Sequence, residues 1–205
     1  MKRALVLVGA SGVGKTSVAN EILKERSDFR FIRSVTTRAP RGDGHDGEYI
    51  YLDEAEFLKK ARKGDFLEYM NYGGNFYGTP FSELSLAFSE EKTPLLILDL
   101  EGVKSLRAKN YGFEPYIVYI YEELEVIEKR LLKRGTRDAC LKRMAANKSD
   151  YIALPEISEK FDVFVKNFDL KVAADEVLSL FTNAREKNLS ENKRIAEALR
   201  LTAKE

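Results

Sequence analysis

Residues 3–20 read RALVLVGASGVGKTSVAN: an apolar run, a glycine-rich turn and a stretch with helical spacing. The turn, Gly9-Ala10-Ser11-Gly12-Val13-Gly14-Lys15-Thr16, fits G-x-x-x-x-G-K-[ST] and sits between a strand and a helix, as that pattern must to bind phosphate. Its glycines open backbone conformations closed to other residues, so that consecutive N–H groups can converge on phosphate oxygens. The helix starting near Lys15 adds the unpaired N–H groups of its first turn. Lys15 supplies a mobile cation for the β and γ phosphates, and Thr16 a hydroxyl for Mg²⁺. A Gly-rich turn with a solvated lysine is the competing reading, but Ala4, Leu5, Val6, Leu7 and Val8 form the kind of run that a buried parallel strand carries. A nucleoside triphosphate is the expected ligand, with ATP and GTP both open.

The rest of the chain fits one α/β domain. Its 205 residues suffice for a full core with a smaller inserted lobe, and 34 basic against 33 acidic side chains create no global field toward nucleic acid or anionic membrane. Any basic site must be local. The single Cys140 and single His45 offer neither an internal disulfide nor a metal cluster, and a reducing cytoplasm is the expected setting. Lys2 and Arg3 before the apolar run imitate a signal peptide only faintly, since the run is short and enters the phosphate loop without a cleavage site. No other stretch reads as a membrane span.

Beyond the loop, Val18, Ala19, Ile22 and Leu23 give a helix one apolar face, and FIRSV (31–35) reads as a short strand. It leads into a polar loop carrying Arg38 and Arg41, residues able to clamp a second phosphate bidentately. Tyr49 to Leu52 form a strand, and Asp53 caps a helix closing at Gly64. Phe66–Tyr72, a turn at Gly73-Gly74-Asn75 and Phe76-Tyr77 make a hairpin, with a helix beginning beyond Thr79-Pro80. PLLILDL (94–100) is a second buried strand ending in Asp99, which either lies beside the loop to hold a metal water or caps the next helix. Residues 116–121 form a third buried strand, followed by a helix to Lys133. A basic stretch follows, with Arg130 and Arg134 on one helical face, Gly135 as a hinge, and Lys142 and Arg143 beyond. It reads either as a lid whose arginines meet the charge of a transferring phosphoryl group or as a solvated basic surface. Residues 161–167 form the last strand, ending in Asn167. From residue 183 a charged helix is expected, as a fraying end or a dimer contact.

Taken together, these segments resemble guanylate kinases over nearly residues 3–182. GASGVGKTSV is similar to the family's triphosphate loop and SVTTRAPR to its monophosphate clamp. DGEYIYL, FLEYMNYGGNFYGTP, ILDLEG, KRLLKRGT and the strand ending in Asn167 follow in family order. The resemblance implies a three-layer P-loop NTPase fold with a central parallel sheet, a β-rich acceptor-binding insert (35–79) between core segments 1–34 and 80–182, and a lid near 134–150. Residues 183–205 would form the C-terminal helix.

By the same resemblance ATP would contact Gly9, Ala10, Ser11, Gly12, Val13, Gly14, Lys15, Thr16, Ser17 and Asn167. Ser34, Arg38, Arg41, Tyr49 and Tyr77 would hold the acceptor phosphate of GMP or dGMP, Glu68 and Thr79 would read its guanine edge, and Asp99 would also bind GMP. Lys15, Arg38, Arg130, Arg134 and Arg143 would serve catalysis, with Thr16 and Asp99 at Mg²⁺. The chemistry is coherent, because a carboxylate accepts paired hydrogen bonds from guanine N1–H and the exocyclic amine, which adenine lacks.

Two departures stand out. The clamp loop is shorter, with Asp43-Gly44 near the place of a family glutamate. The family's D-x-D-x-x-G is contracted here to Asp99-Leu100-Glu101-Gly102, leaving Glu101 as the candidate second acid for guanine. The implied reaction is transfer of the ATP γ-phosphoryl to GMP, by a monomer or homodimer with no nucleic-acid or membrane partner. A same-fold kinase with another phosphorylated acceptor is one alternative. A non-catalytic protein-binding domain is another, and the intact Gly14, Lys15 and Thr16 weigh against it.

Overall fold

The computed structural model describes residues 2–40, 46–133, 136–183 and 187–204. In chain order its first elements are β1 (Arg3–Val8), α1 (Lys15–Glu25), β2 (Phe29–Phe31), β3 (Ser34–Thr36), β4 (Tyr49–Tyr51) and α2 (Glu54–Lys63). Then come β5 (Phe66–Tyr72), β6 (Asn75–Pro80), α3 (Phe81–Ser89), β7 (Thr93–Ile97), α4 (Leu100–Ala108) and β8 (Glu114–Tyr121). The last are α5 (Leu124–Leu132), α6 (Arg137–Ile157), β9 (Val163–Lys166), α7 (Leu170–Thr182) and α8 (Leu189–Lys204).

The apolar run before the glycine-rich turn is the centre of a five-stranded parallel sheet ordered β2-β7-β1-β8-β9. Leu5 lies opposite Leu95 on one side and Tyr116 on the other, and Ala4 through Val8 are fully buried. Helices cover both faces, so the strand is apolar at every position instead of alternating. Each such valine or leucine contributes about 1.5–3 kcal/mol by leaving water. The carboxyl ends of β1, β7, β8 and β9 therefore rise together at one edge, where an open α/β sheet places its ligands.

A second sheet, ordered β4-β3-β6-β5, stands apart. FIRSV is two strands: β2 joins the first sheet and β3 the second. The Ile32 N–H still donates to Leu95 O at 2.9 Å, while the next residue, Arg33, turns its guanidinium onto Glu83 at 3.0 and 3.2 Å. Apolar patterning registers an extended chain but not a change of sheet. The β5–β6 hairpin turns through Gly73 (φ 59°) and Gly74 (φ 80°), the paired positive φ values that a two-residue loop of this twist demands.

Strand alternation sorts this sheet into two faces. Val35, Ile50, Phe66 and Phe76 pack under Phe57 of α2, whose ring lies 4.6 Å from Phe66 and 5.3 Å from Phe76. Ser34 pairs with Tyr49, Thr36 with Tyr77 and Glu68 with Thr79, so these polar residues share the opposite face. Helix α2 is capped as its sequence dictates, with Asp53 accepting from the Glu56 N–H at 2.8 Å and Gly64 at φ 75°.

The charged C-terminal stretch forms α8, which packs along α6 of its own chain and buries Asn192, Ala196, Leu199 and Ala203. Asn192 Nδ2 donates to the carbonyls of Phe161 and Asp162, tying the helix to the entry of β9. Among the described residues no helix is long and apolar enough to cross a membrane.

Candidate active site

The loop after β1 reverses tightly over the sheet edge. Gly9 has φ 147°, and a Cβ there would sit 2.1 Å from the Ile120 carbonyl oxygen of β8, so no side chain fits. The loop carbonyls are held by donors from several parts of the chain. Lys15 Nζ donates to Gly9 O at 2.7 Å and Ala10 O at 3.0 Å, and Asn147 Nδ2 to Ser11 O at 2.9 Å. Val13 O receives Arg130 at 3.0 Å and Asn167 Nδ2 at 2.7 Å, while Gly14 O receives the Val18 N–H at 2.9 Å. The N–H groups of Lys15, Thr16 and Ser17, at the start of α1, lack intrahelical partners by helix geometry. With the carbonyls drawn outward, the loop and helix end present a cradle of donors suited to polyphosphate.

Around it lies a small electrostatic cluster. Burial lowers Lys15 from its ordinary 10.5 to about 8, opposed by the charges of Asp150 and Asp99. Burial raises Asp150 to about 6, against the pull of Lys15 and with the repulsion of Asp99. Asp99 lies two residues beyond β7 and accepts from the Gly102 N–H at 2.7 Å, capping α4. The cap reading of Asp99 is borne out, and its charge also reaches Lys15.

The polar face of the second sheet holds the other predicted residues. The Arg38 guanidinium stacks over the Tyr49 ring at 5.2 Å, and Tyr49 meets Tyr77 edge to face at 6.2 Å. Ser34 adjoins Tyr49 by pairing. Further along, the Thr79 hydroxyl donates to Glu68 Oε1 at 2.7 Å. Burial raises Glu68 to about 7; the Thr79 bond opposes the rise and Asp99 adds to it. Arg41 and Arg134 lie outside the described residues. Arg143 is half-buried on α6, with no hydrogen bond or ion pair among the described residues. Glu101, the candidate second acid for guanine, is instead exposed and paired with Lys104 at 2.5 Å. Contraction of the segment starts α4 directly after Asp99, and Glu101 falls on the outer side of its first turn.

Arg130 spans Val13 O, Asn167 O at 2.9 Å and the Glu122 carboxylate at 3.6 Å. Asn167, expected at the adenine side of ATP, here spends its amide on the loop. Four residues of the site escaped sequence reasoning: Glu48, Glu122, Asn147 and Asp150. Glu48 accepts from the Thr16 hydroxyl at 3.1 Å, and Glu122 is 3% exposed between Arg130 and Lys166. The one available signal was on α6, whose buried positions Cys140, Met144, Asn147, Tyr151 and Leu154 repeat at helical spacing with a single amide among them.

The site as a whole joins a cradle of backbone donors to a second face that carries Arg38 beside two tyrosines and the buried carboxyl of Glu68. The family model described as guanylate kinase matches residues 1–184. The chain is 34% identical to a guanylate kinase of Thermotoga maritima over 185 residues, covering 89% of this chain and 87% of that one. It is 33% identical to a guanylate kinase of Thermobifida fusca, covering 87% and 90%. Among solved structures, the guanylate kinase from Anaplasma phagocytophilum superposes with a TM-score of 0.66 at 26% identity, covering 93% of this chain and 89% of that one.

Proposed function

The chain belongs to the guanylate kinase family, and we propose how its residues divide the family's reaction, ATP-dependent phosphorylation of GMP to GDP. It is a nucleoside monophosphate kinase of P-loop fold. The observation that carries the guanine assignment is the Glu68–Thr79 pair, a desolvated carboxylate held on one oxygen by a hydroxyl at 2.7 Å. Its remaining lone pairs suit the two adjacent N–H donors of guanine, and adenine would leave them unpaired.

In this reading the loop N–H groups bind the ATP polyphosphate. Lys15 leaves the Gly9 and Ala10 carbonyls to follow the transferring group, and Arg38, stacked on Tyr49 with Tyr77 and Ser34 nearby, grips the acceptor phosphate. Arg41 and Arg134 are proposed alongside on the family resemblance. No covalent intermediate is required, since in-line transfer between two held nucleotides is a matter of positioning and charge. Insert 35–79 would carry the acceptor, and the segment 134–150 would bring Arg143 over the donor as a lid.

The donor set suits Mg²⁺ arriving on the nucleotide. Thr16 and Asp99 offer hard oxygens, and no three His, Cys, Asp or Glu residues among those described converge into a protein-only cage. Bound with ATP, Mg²⁺ would neutralise charge on the β and γ oxygens. We place the enzyme in a reducing cytoplasm, in keeping with the single Cys140. As to assembly, both a monomer and a homodimer are compatible with this site.

The test is ADP formation from ATP and Mg²⁺ with GMP, dGMP, AMP, CMP or UMP as acceptor, beside Lys15→Ala and Glu68→Gln. Turnover with GMP that falls by about 10²-fold or more in Lys15→Ala and loses guanine preference in Glu68→Gln is expected. Turnover confined to a non-guanine acceptor would sink the guanine assignment, and no turnover with any acceptor would favour a protein-binding domain.

A further inference from the structure

Asn147 sits in the middle of the buried seam of α6 and is 1% exposed. An amide in that position is unfavourable unless both its ends are bonded. Both are, and to the two backbone polar groups of a single residue far away in sequence. Its Oδ1 accepts from the Ser11 N–H at 2.9 Å, and its Nδ2 donates to Ser11 O at 2.9 Å. Arg143 lies one turn before it on the same helix and Asp150, which acts on Lys15, one turn after. Two residues of this stripe of α6, Asn147 and Asp150, therefore act on the phosphate loop.

We propose that Asn147 is a positioning residue for the triphosphate site: by pairing with both polar groups of Ser11 it fixes the loop's conformation from α6. The physical reason is the direction of the peptide. Turning the Ser11 carbonyl inward would aim an acceptor at the phosphates, and the Asn147 amide prevents this while also occupying the Ser11 N–H. At Val13 the same duty falls on Arg130 and Asn167. Between them the two anchorages hold the loop from three segments: α6, α5 and the residue that follows β9. This inference rests on the ATP site proposed above but needs no particular acceptor.

The experiment measures equilibrium ATP binding, KM for GMP and amide hydrogen exchange at Ser11 in the full chain, in wild type, Asn147→Ala and Asn147→Asp. In Asn147→Ala the Ser11 amide is expected to exchange faster by about tenfold or more, ATP affinity to fall about 10- to 100-fold, and KM for GMP to move less than about twofold. Asn147→Asp is close to isosteric and still accepts from the Ser11 N–H. It is expected to keep that amide protected yet bind ATP weakly, because Ser11 O loses its donor and a carboxylate enters the site. If Asn147→Ala does not fold, the split between protection and affinity in Asn147→Asp carries the test. Unchanged ATP affinity in either folded variant overturns the proposal, as does an equal loss of both nucleotides accompanied by general loss of amide protection. Exchange and ATP binding need no turnover, so a failed acceptor assignment leaves both readouts intact.

Discussion

The Thr16 hydroxyl, in the first turn of α1, donates to Glu48 Oε2 at 3.1 Å, and Glu48 immediately precedes β4. A hydroxyl has one hydrogen and two lone pairs, so committing the hydrogen to Glu48 leaves lone pairs for a cation. The bond also links the phosphate loop to the strand carrying Tyr49. Glu48→Ala is therefore expected to raise the Mg²⁺ concentration for half-maximal rate by about three- to tenfold, with Glu48→Gln, which keeps an acceptor, changing it less. Magnesium titrations at saturating nucleotide check this, and identical titrations for all three proteins would contradict it.

Glu68 gives the acceptor site a pH dependence of definite sign. Its carboxyl is raised by burial from 4.5 to about 7, and only the ionised form offers acceptors alone to guanine. Affinity for GMP should weaken as pH falls through about 7, and this limb should vanish in Glu68→Gln. Stability runs the other way. Between pH 4.5 and 7 the folded state keeps a proton that the unfolded chain has released, so stability falls as pH rises through that window, by up to about 3 kcal/mol. Glu68→Gln should accordingly melt above wild type at pH 8 and converge with it near pH 4.5, as calorimetry at both pH values would reveal.

Lys15 sets the opposite limb. Burial lowers it to about 8, so the free enzyme loses its loop cation as pH rises through that value. Equilibrium ATP binding measured from pH 6.5 to roughly 9.5 is expected to weaken about tenfold per pH step beyond the transition at constant ionic strength. Binding that stays level across this range would place the charge elsewhere.

Asp99 combines two roles that substitution can separate. Asparagine caps helices as well as aspartate does, whereas alanine does not. Asp99→Asn should keep wild-type stability and lose rate, while Asp99→Ala should lose rate and about 1 kcal/mol of stability as well. Denaturant melts beside turnover distinguish the two. Glu101→Ala, on the exposed side of α4, is expected to leave guanine discrimination unchanged.

Gly9→Ala should be the most damaging change in the loop. The new Cβ would meet a backbone oxygen at 2.1 Å, and at φ 147° an L side chain is strained as well. At Gly12 the added carbon would press instead on the Leu131 side chain at 2.7 Å, which can rotate. A loss of about 3 kcal/mol or more is expected for Gly9→Ala, with Gly12→Ala losing less. Thermal melts of the two variants provide the comparison.

Parts of this protein were legible because their causes are local. G-x-x-x-x-G-K-T requires the residues it contains, and the apolar runs at 4–8, 94–98 and 116–120 announce buried parallel strands wherever they occur. The capped helix between Asp53 and Gly64 and the hairpin at Gly73-Gly74 follow from backbone chemistry within a few residues. The division of FIRSV between two sheets was not legible, because an extended apolar segment carries no mark of which neighbour it will pair with.

What sequence alone determined, then, was the phosphate loop, the layered fold around it and the family. Tertiary structure decided which side chains complete the site. Glu48 reaches Thr16, Asn147 reaches Ser11, and Asp99 and Asp150 act together on Lys15. Each joins segments brought together only when the sheet edge, the second sheet and α6 assemble, and a carboxylate or amide has the same spelling on a solvated helix as beside a buried peptide. Its meaning comes from the partner and the loss of water around both, which exist only in the folded chain.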